Sequence, residues 1–135
     1  MERPTPMAAS PMTPAPQLRA LRGATTATAN TSEAIAEAVA ELLDALVERN
    51  ALEGSQLLSV TFSVTADLNA CFPAAIARRR PGWDAVALLD CQQMAVEGDL
   101  PRCIRLLAHA WLAADRSVSH AYLRDAAKLR PDLAG

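Results

Sequence analysis

Hydrophobic and polar positions change rhythm several times along this chain, and each change marks an element. Between residues 32 and 49, Ile35, Val39, Leu42, Leu43, Leu46 and Val47 recur at spacings of three and four, so a long α-helix carries one apolar face. Thr31 or Ser32 can cap its start, with Glu33 in the first turn. Residues 57–65, LLSVTFSVT, are rich in β-branched side chains and bounded by Gly54 and Asp67, which predicts a buried strand. In FPAAIARRR, residues 72–80, Pro73 suits a first helical position and Pro81-Gly82 stops the run, giving a short helix. Residues 86–90 and 104–111 predict two more strands, separated by a loop that holds Gly98 and Pro101.

Two further segments complete the pattern. LRALRGATT, residues 18–26, alternates apolar side chains with arginine before Gly23 and predicts a short strand ending in a loop. A last extended stretch is expected over residues 120–128, before Pro131. Five strands with one long and one short helix make an α+β domain over residues 18–135. So few helices leave one sheet face uncovered in a monomer, which a homo-oligomer remedies. Residues 1–17 carry five prolines among small residues and are expected to form a disordered tail.

Composition narrows the function classes. The chain has 135 residues, 51% of them hydrophobic, enough for a core of its own. Net charge is −2 and no long basic run occurs, so nucleic acid is not expected as a partner. Cys71, Cys91 and Cys103 are odd in number and unpaired in spacing, which argues against a disulfide framework or a structural zinc site. His109 and His120 are not at ligand spacing, and no metal is expected. Without an apolar run of spanning length or a signal-peptide core, a membrane is not expected and the cytoplasm fits best. Trp83 and Trp111 read as packing residues.

Several fragments occur together in one order: RGATT at 22–26, TADLNACFPAAIAR at 65–78, CIR at 103–105 and LRPDL at 129–133, with VERNAL at 47–52 and PGW at 81–83. In these the chain resembles the trimeric α/β class of chorismate mutases, often called the AroH class, from about Arg19 to Leu133. The resemblance implies a mixed five-stranded sheet, a homotrimer forming a pseudo-α/β barrel, and active sites between neighbouring subunits. It implies the Claisen rearrangement of chorismate to prephenate, in the pathway to phenylalanine and tyrosine, with no cofactor and no covalent intermediate.

Roles carried over by the resemblance fall on named residues. Arg105 would meet the ether oxygen and a substrate carboxylate, and Arg22 and Tyr122 the enolpyruvyl carboxylate. Phe72, Ala74 and Arg78 would line the pocket from the adjacent subunit, while Leu129 and Arg130 would close over the ligand. Guanidinium groups suit these tasks because they stay charged and their fork matches a carboxylate.

In two places the sequence departs from the family pattern. Ungapped counting puts Asp90 at the family's cysteine position and Gln93 at its glutamate position, both directed at the ring hydroxyl, and Cys91 one residue out of register. A neutral amide can hydrogen-bond that hydroxyl but cannot supply an anion's field. Residues 90 and 93 face opposite sides of an ideal strand, so both reach the hydroxyl only if the strand bends or ends between them; the family's use of both positions implies that it does, and Asp90 and Gln93 are expected to hold the hydroxyl together. Ala75 stands where the family often has a lysine. These departures leave two alternatives beside chorismate: a modified substrate such as 4-amino-4-deoxychorismate, whose ammonium would suit Asp90, or a ligand-binding trimer of weak activity.

Overall fold

The computed structural model describes residues 15–133. Its elements run β1 (Gln17–Thr26), α1 (Ser32–Asn50), β2 (Leu57–Val64), α2 (Pro73–Arg78), β3 (Ala87–Gln92), β4 (Cys103–Leu112) and β5 (Ala121–Tyr122), with 3₁₀ turns at Gly54–Gln56 and Arg124–Lys128. The strands form one sheet in the order β3-β2-β4-β1-β5. β4 pairs antiparallel with both β1 and β2, whereas β3 runs parallel to β2 and β5 parallel to β1, so the sheet is mixed.

Helix α1 starts where Thr31 accepts a hydrogen bond from the Ala34 N–H at 3.0 Å. It ends at Ala51, held in the left-handed region at φ 48. Its apolar stripe, Ile35, Ala38, Val39, Leu42, Leu43 and Leu46, is buried against one face of the sheet, where Leu21, Val60, Phe62, Ile104, Leu106, Ala108 and Ala110 join it in the core. Gly23 lets helix and sheet approach: a Cβ there would lie 3.2 Å from Leu42 Cδ1 and 3.1 Å from the Ala121 carbonyl. Among the described residues no helix lies on the opposite face, and Leu18, Leu89, Leu107 and Trp111 on it are 42–61% exposed.

Three expectations need correction. β1 is no short strand ending near Gly23; ten consecutive pairings with β4 carry it through to Thr26 and start it at Gln17, which belongs to the sheet and not to a tail. Residues 1–14 of that expected tail lie outside the described residues. The stretch 120–128 is extended only at Ala121–Tyr122. Beyond it Arg124 adopts φ 54 and donates to the Thr26 carbonyl at 2.8 Å and to Glu37 and Glu41 of α1. That turns the chain toward the helix and into a 3₁₀ turn. Trp83 is buried as expected, but Trp111 is 47% exposed on the open face.

The C-terminal segment is pinned to α1 by a buried amide. Asn50 donates to the Leu46 and Ser119 carbonyls at 2.9 and 2.7 Å and accepts from the Ser119 N–H at 2.9 Å. Asn50→Ala leaves the part-buried N–H and carbonyl of Ser119 without their partner, a total cost of about 1–3 kcal/mol. Urea unfolding is expected to show a loss in that range; stability within 0.5 kcal/mol of the parent, roughly the noise of a neutral surface change, would refute the pin.

Candidate functional site

Strand alternation decides which side chains share the open face. The registers align one row across it: Cys91 on β3, Ser63 on β2, Arg105 on β4, Ala24 on β1 and Tyr122 on β5. Arg22 lies on the same face, two residues before Ala24. Ala24, fully buried, lies between Arg105 and Tyr122 in this row. Gln93 follows the end of β3, its N–H donating to the Val64 carbonyl at 2.8 Å, which sets it one row beyond Cys91 on this face.

At that corner the loop between β3 and β4 turns back over the sheet. Asp99 closes the turn, its N–H on the Val96 carbonyl at 3.1 Å, with Gly98 at φ 83. The Asp99 carboxylate accepts from Gln93 Nε2, from Arg105 Nη2 at 3.3 Å and from the Leu100 N–H at 2.8 Å. Gln93, Asp99 and Arg105 thus form one network beside a depression of about 380 Å³. Two atoms in it are buried and unpaired, Gln93 Oε1 and Arg105 Nε. Burial pushes the neighbouring Cys103 thiol up, while the Arg105 guanidinium beside it pulls the other way. A thiol sulfur is a weak acceptor, so Nε still lacks a full partner.

On the other flank of Tyr122 lie Arg22, His120, Arg130 and Asp132. The Arg22 N–H donates to His120 Nδ1 at 2.9 Å, which fixes the imidazole with an acceptor nitrogen there. Arg130 grips Asp132 through two hydrogen bonds, at 3.1 and 2.8 Å. Leu129, half-buried, ends the 3₁₀ turn just before it.

Asp90 is turned the other way. It pairs in register with buried Phe62 and so faces the helical side, where its Oδ1 accepts from the Ala74 N–H at 3.0 Å at the start of α2. Burial raises its pKa; the Ala74 hydrogen bond and the Arg78 charge act against that rise. Phe72, 70% exposed, and Asp90 line a second depression of about 590 Å³.

Within one chain the predicted residues therefore fall into two groups. Arg22, Arg105, Gln93, Tyr122, Leu129 and Arg130 go with the open face, and Phe72, Ala74, Arg78 and Asp90 with α2 at the β3 edge. The expected convergence of Asp90 and Gln93 does not occur within one chain: β3 ends at Gln92, but the Gln93 N–H still donates to the Val64 carbonyl, so alternation carries on past the strand end and the two side chains face apart. Asp99 and His120 were not among the expected site residues. The clue to Asp99 was a carboxylate after the loop glycine six residues before Arg105; His120 gave no signal beyond its nearness to Tyr122. Among the described residues no cluster of His, Cys, Asp and Glu could hold a metal ion, and no helix is long and apolar enough to cross a membrane.

Comparison with known proteins gives a consistent answer. The family model for chorismate mutase type I matches residues 18–133. A chorismate mutase AroH from Thermus thermophilus is 45% identical over 120 residues, covering 86% of this chain and 96% of the relative. One from Bacillus subtilis is 35% identical over 117 residues, covering 86% and 92%. A solved chorismate mutase from Clostridium thermocellum superposes with a TM-score of 0.74 at 39% identity, covering 80% of this chain and 96% of that one.

The His120 contact generates a pH dependence. Burial first, then the Arg22 and Arg130 charges, lower its pKa below the ordinary histidine value. The unfolded chain then takes up a proton that the folded chain resists, so stability falls as pH drops through the histidine range. Between about pH 7.5 and 5.5, the parent should lose more thermal stability than His120→Asn, whose side-chain oxygen still accepts but does not titrate. Identical pH profiles in thermal melts would rule this out.

Proposed function

The chain belongs to the chorismate mutase type I family, and from that membership we infer that it is an isomerase converting chorismate to prephenate. The reaction breaks an ether C–O bond and forms a C–C bond within one molecule, so no group leaves and no oxidant is needed. Negative charge gathers on the departing ether oxygen while the ring becomes partly cationic. A protein accelerates such a step by holding the substrate compact and by aiming fixed donors where the oxyanion forms.

The observation that carries the site assignment is the pair of buried atoms with no partner. Arg105 Nε is a donor on a permanent cation, suited to the ether oxygen, and Gln93 Oε1 is an acceptor, suited to the ring hydroxyl. Arg22 and Tyr122, along the same face, receive the enolpyruvyl carboxylate, and Leu129 and Arg130 close the site from the C-terminal segment. The second group completes the pocket from a neighbouring protomer: Phe72 as an apolar wall, Ala74 at the helix start, Arg78 as a charge at the mouth. Asp90 in this reading orients the α2 start through the Ala74 N–H and does not reach the ring hydroxyl beside Gln93.

Two features support a homotrimer with sites between subunits. Leu89, Leu107 and Trp111 expose apolar surface on a sheet face with no helix of its own, and the two residue groups cannot meet within one chain. No cofactor enters the reaction, which proceeds without a metal or nucleic-acid partner. Free Cys71, Cys91 and Cys103 suit a reducing cytoplasm. A modified substrate and a catalytically weak binding trimer are not favoured, since both curated relatives are chorismate mutases.

Purified protein should convert chorismate to prephenate, and Arg105→Ala should lower kcat/KM by about 10²–10³, the usual loss for a preorganised donor. A parent rate no higher than that of Arg105→Ala would end this reading. Sedimentation should give three chains per particle; a monomer with full activity would remove the shared site while leaving the reaction.

A further inference from the structure

We propose that Asp99 is a positioning residue for this reaction: its carboxylate fixes Gln93 as a hydrogen-bond acceptor, aims Arg105, and supplies the negative charge that Gln93 lacks. The inference deepens the assignment of Arg105 and Gln93 made above and rests on it.

The argument starts from hydrogen-bond polarity. An ionised carboxylate only accepts, so Gln93 must turn its NH₂ to Asp99 and its oxygen away. That oxygen is the buried, unpaired Oε1. With a group at position 99 that could also donate, the Gln93 amide would be free to flip and offer an NH₂ to the ligand, repelling a hydroxyl donor. Asp99 also holds Arg105 by Nη2 alone, which leaves Nε and the other guanidinium donors for substrate.

The Asp99 carboxylate is itself fixed. The Leu100 N–H shares Oδ1 with Arg105, and the Val96–Asp99 turn sets the backbone. Its side chain is 23% exposed, less than the 37% of Arg105, so its charge acts in a medium of lower dielectric than water. A fixed anion there favours positive charge arising on a ring held by Gln93. It also repels the dianionic ground state, so its effect falls on the transition state more than on binding.

The test is a carboxylate swap read by steady-state kinetics with chorismate, with thermal melts on each variant. Asp99→Asn keeps the shape but removes the charge and the fixed polarity; kcat should fall about tenfold or more, with KM unchanged or lower. Gln93→Glu alone sets two carboxylates against each other and should also lose activity. The double variant, with the carboxylate moved to position 93 and an amide at 99, should exceed both single variants by about tenfold in kcat, because the opposed pair is restored in reverse. Glu97→Gln, which removes a charge from the same loop at a residue outside this network, should match the parent. A purely structural role for Asp99 would lower melting temperatures without this kinetic crossover. Should the parent turn over chorismate while Asp99→Asn stays within twofold of its kcat, or should the two losses simply multiply, the role of Asp99 is refuted and the mutase reading stands. A parent with no turnover refutes both.

Discussion

Everything in this structure depends on the two-residue alternation of β4, the central strand. Its even residues, Ile104, Leu106, Ala108, Ala110 and Leu112, are buried and face α1. Its odd residues, Cys103, Arg105, Leu107, His109 and Trp111, point to the other side. Because β4 pairs with β1 and β2 along nearly its whole length, its parity is imposed on both neighbours. A slip of one residue would bury Arg105 under the helix and expose Ile104, a change no local adjustment could repair. The hydrophobic core is thus the device that aims the arginine.

The same constraint concentrates cations on the face opposite α1. Arg22 and Arg105 belong to two paired strands and share a face, and Arg130 reaches the same flank from the C-terminal turn. Asp132, gripped by Arg130, offsets part of the repulsion, and His120, whose pKa burial and the Arg22 and Arg130 charges lower, is held from adding to it. Asp99 relieves the rest at Arg105. The exposed ion pairs themselves stabilise little, since water and salt screen them. Their value is in orientation: each fixes one guanidinium while leaving other donors unused.

Much of this was legible beforehand for physical reasons. The stripe of α1, the β-branched run of β2 and the Pro73 helix start are local patterns, and the structure reproduces them within a residue or two. The length of β1 was not legible, because alternation breaks at Gly23 and only pairing with β4 carries the strand onward. Nor was the turn after Tyr122, which depends on Arg124 reaching acids on α1 some 80 residues earlier in the chain. At the candidate site, the fragments RGATT and CIR singled out Arg22 and Arg105, which the β1–β4 register sets on one face. Ideal alternation sets Asp90 and Gln93 on opposite faces, the resemblance implied that both still meet one hydroxyl, and the structure keeps them apart; what each contacts, the Ala74 N–H and Asp99, depends on loop paths that no period describes.

The fate of the two carboxylates near β3 follows from this. Asp90, on the helical side, accepts from the Ala74 N–H at the start of α2, a donor with no partner inside the helix. Gln93, on the open side, sits where an anion next to Asp99 would be repelled, so a neutral amide is the better neighbour. Each residue type therefore fits the face on which alternation puts it. A glutamine at position 93 is consistent with retained chemistry once the loop places an aspartate behind it, because the field at a site depends on where charge lies and not on which strand position carries it.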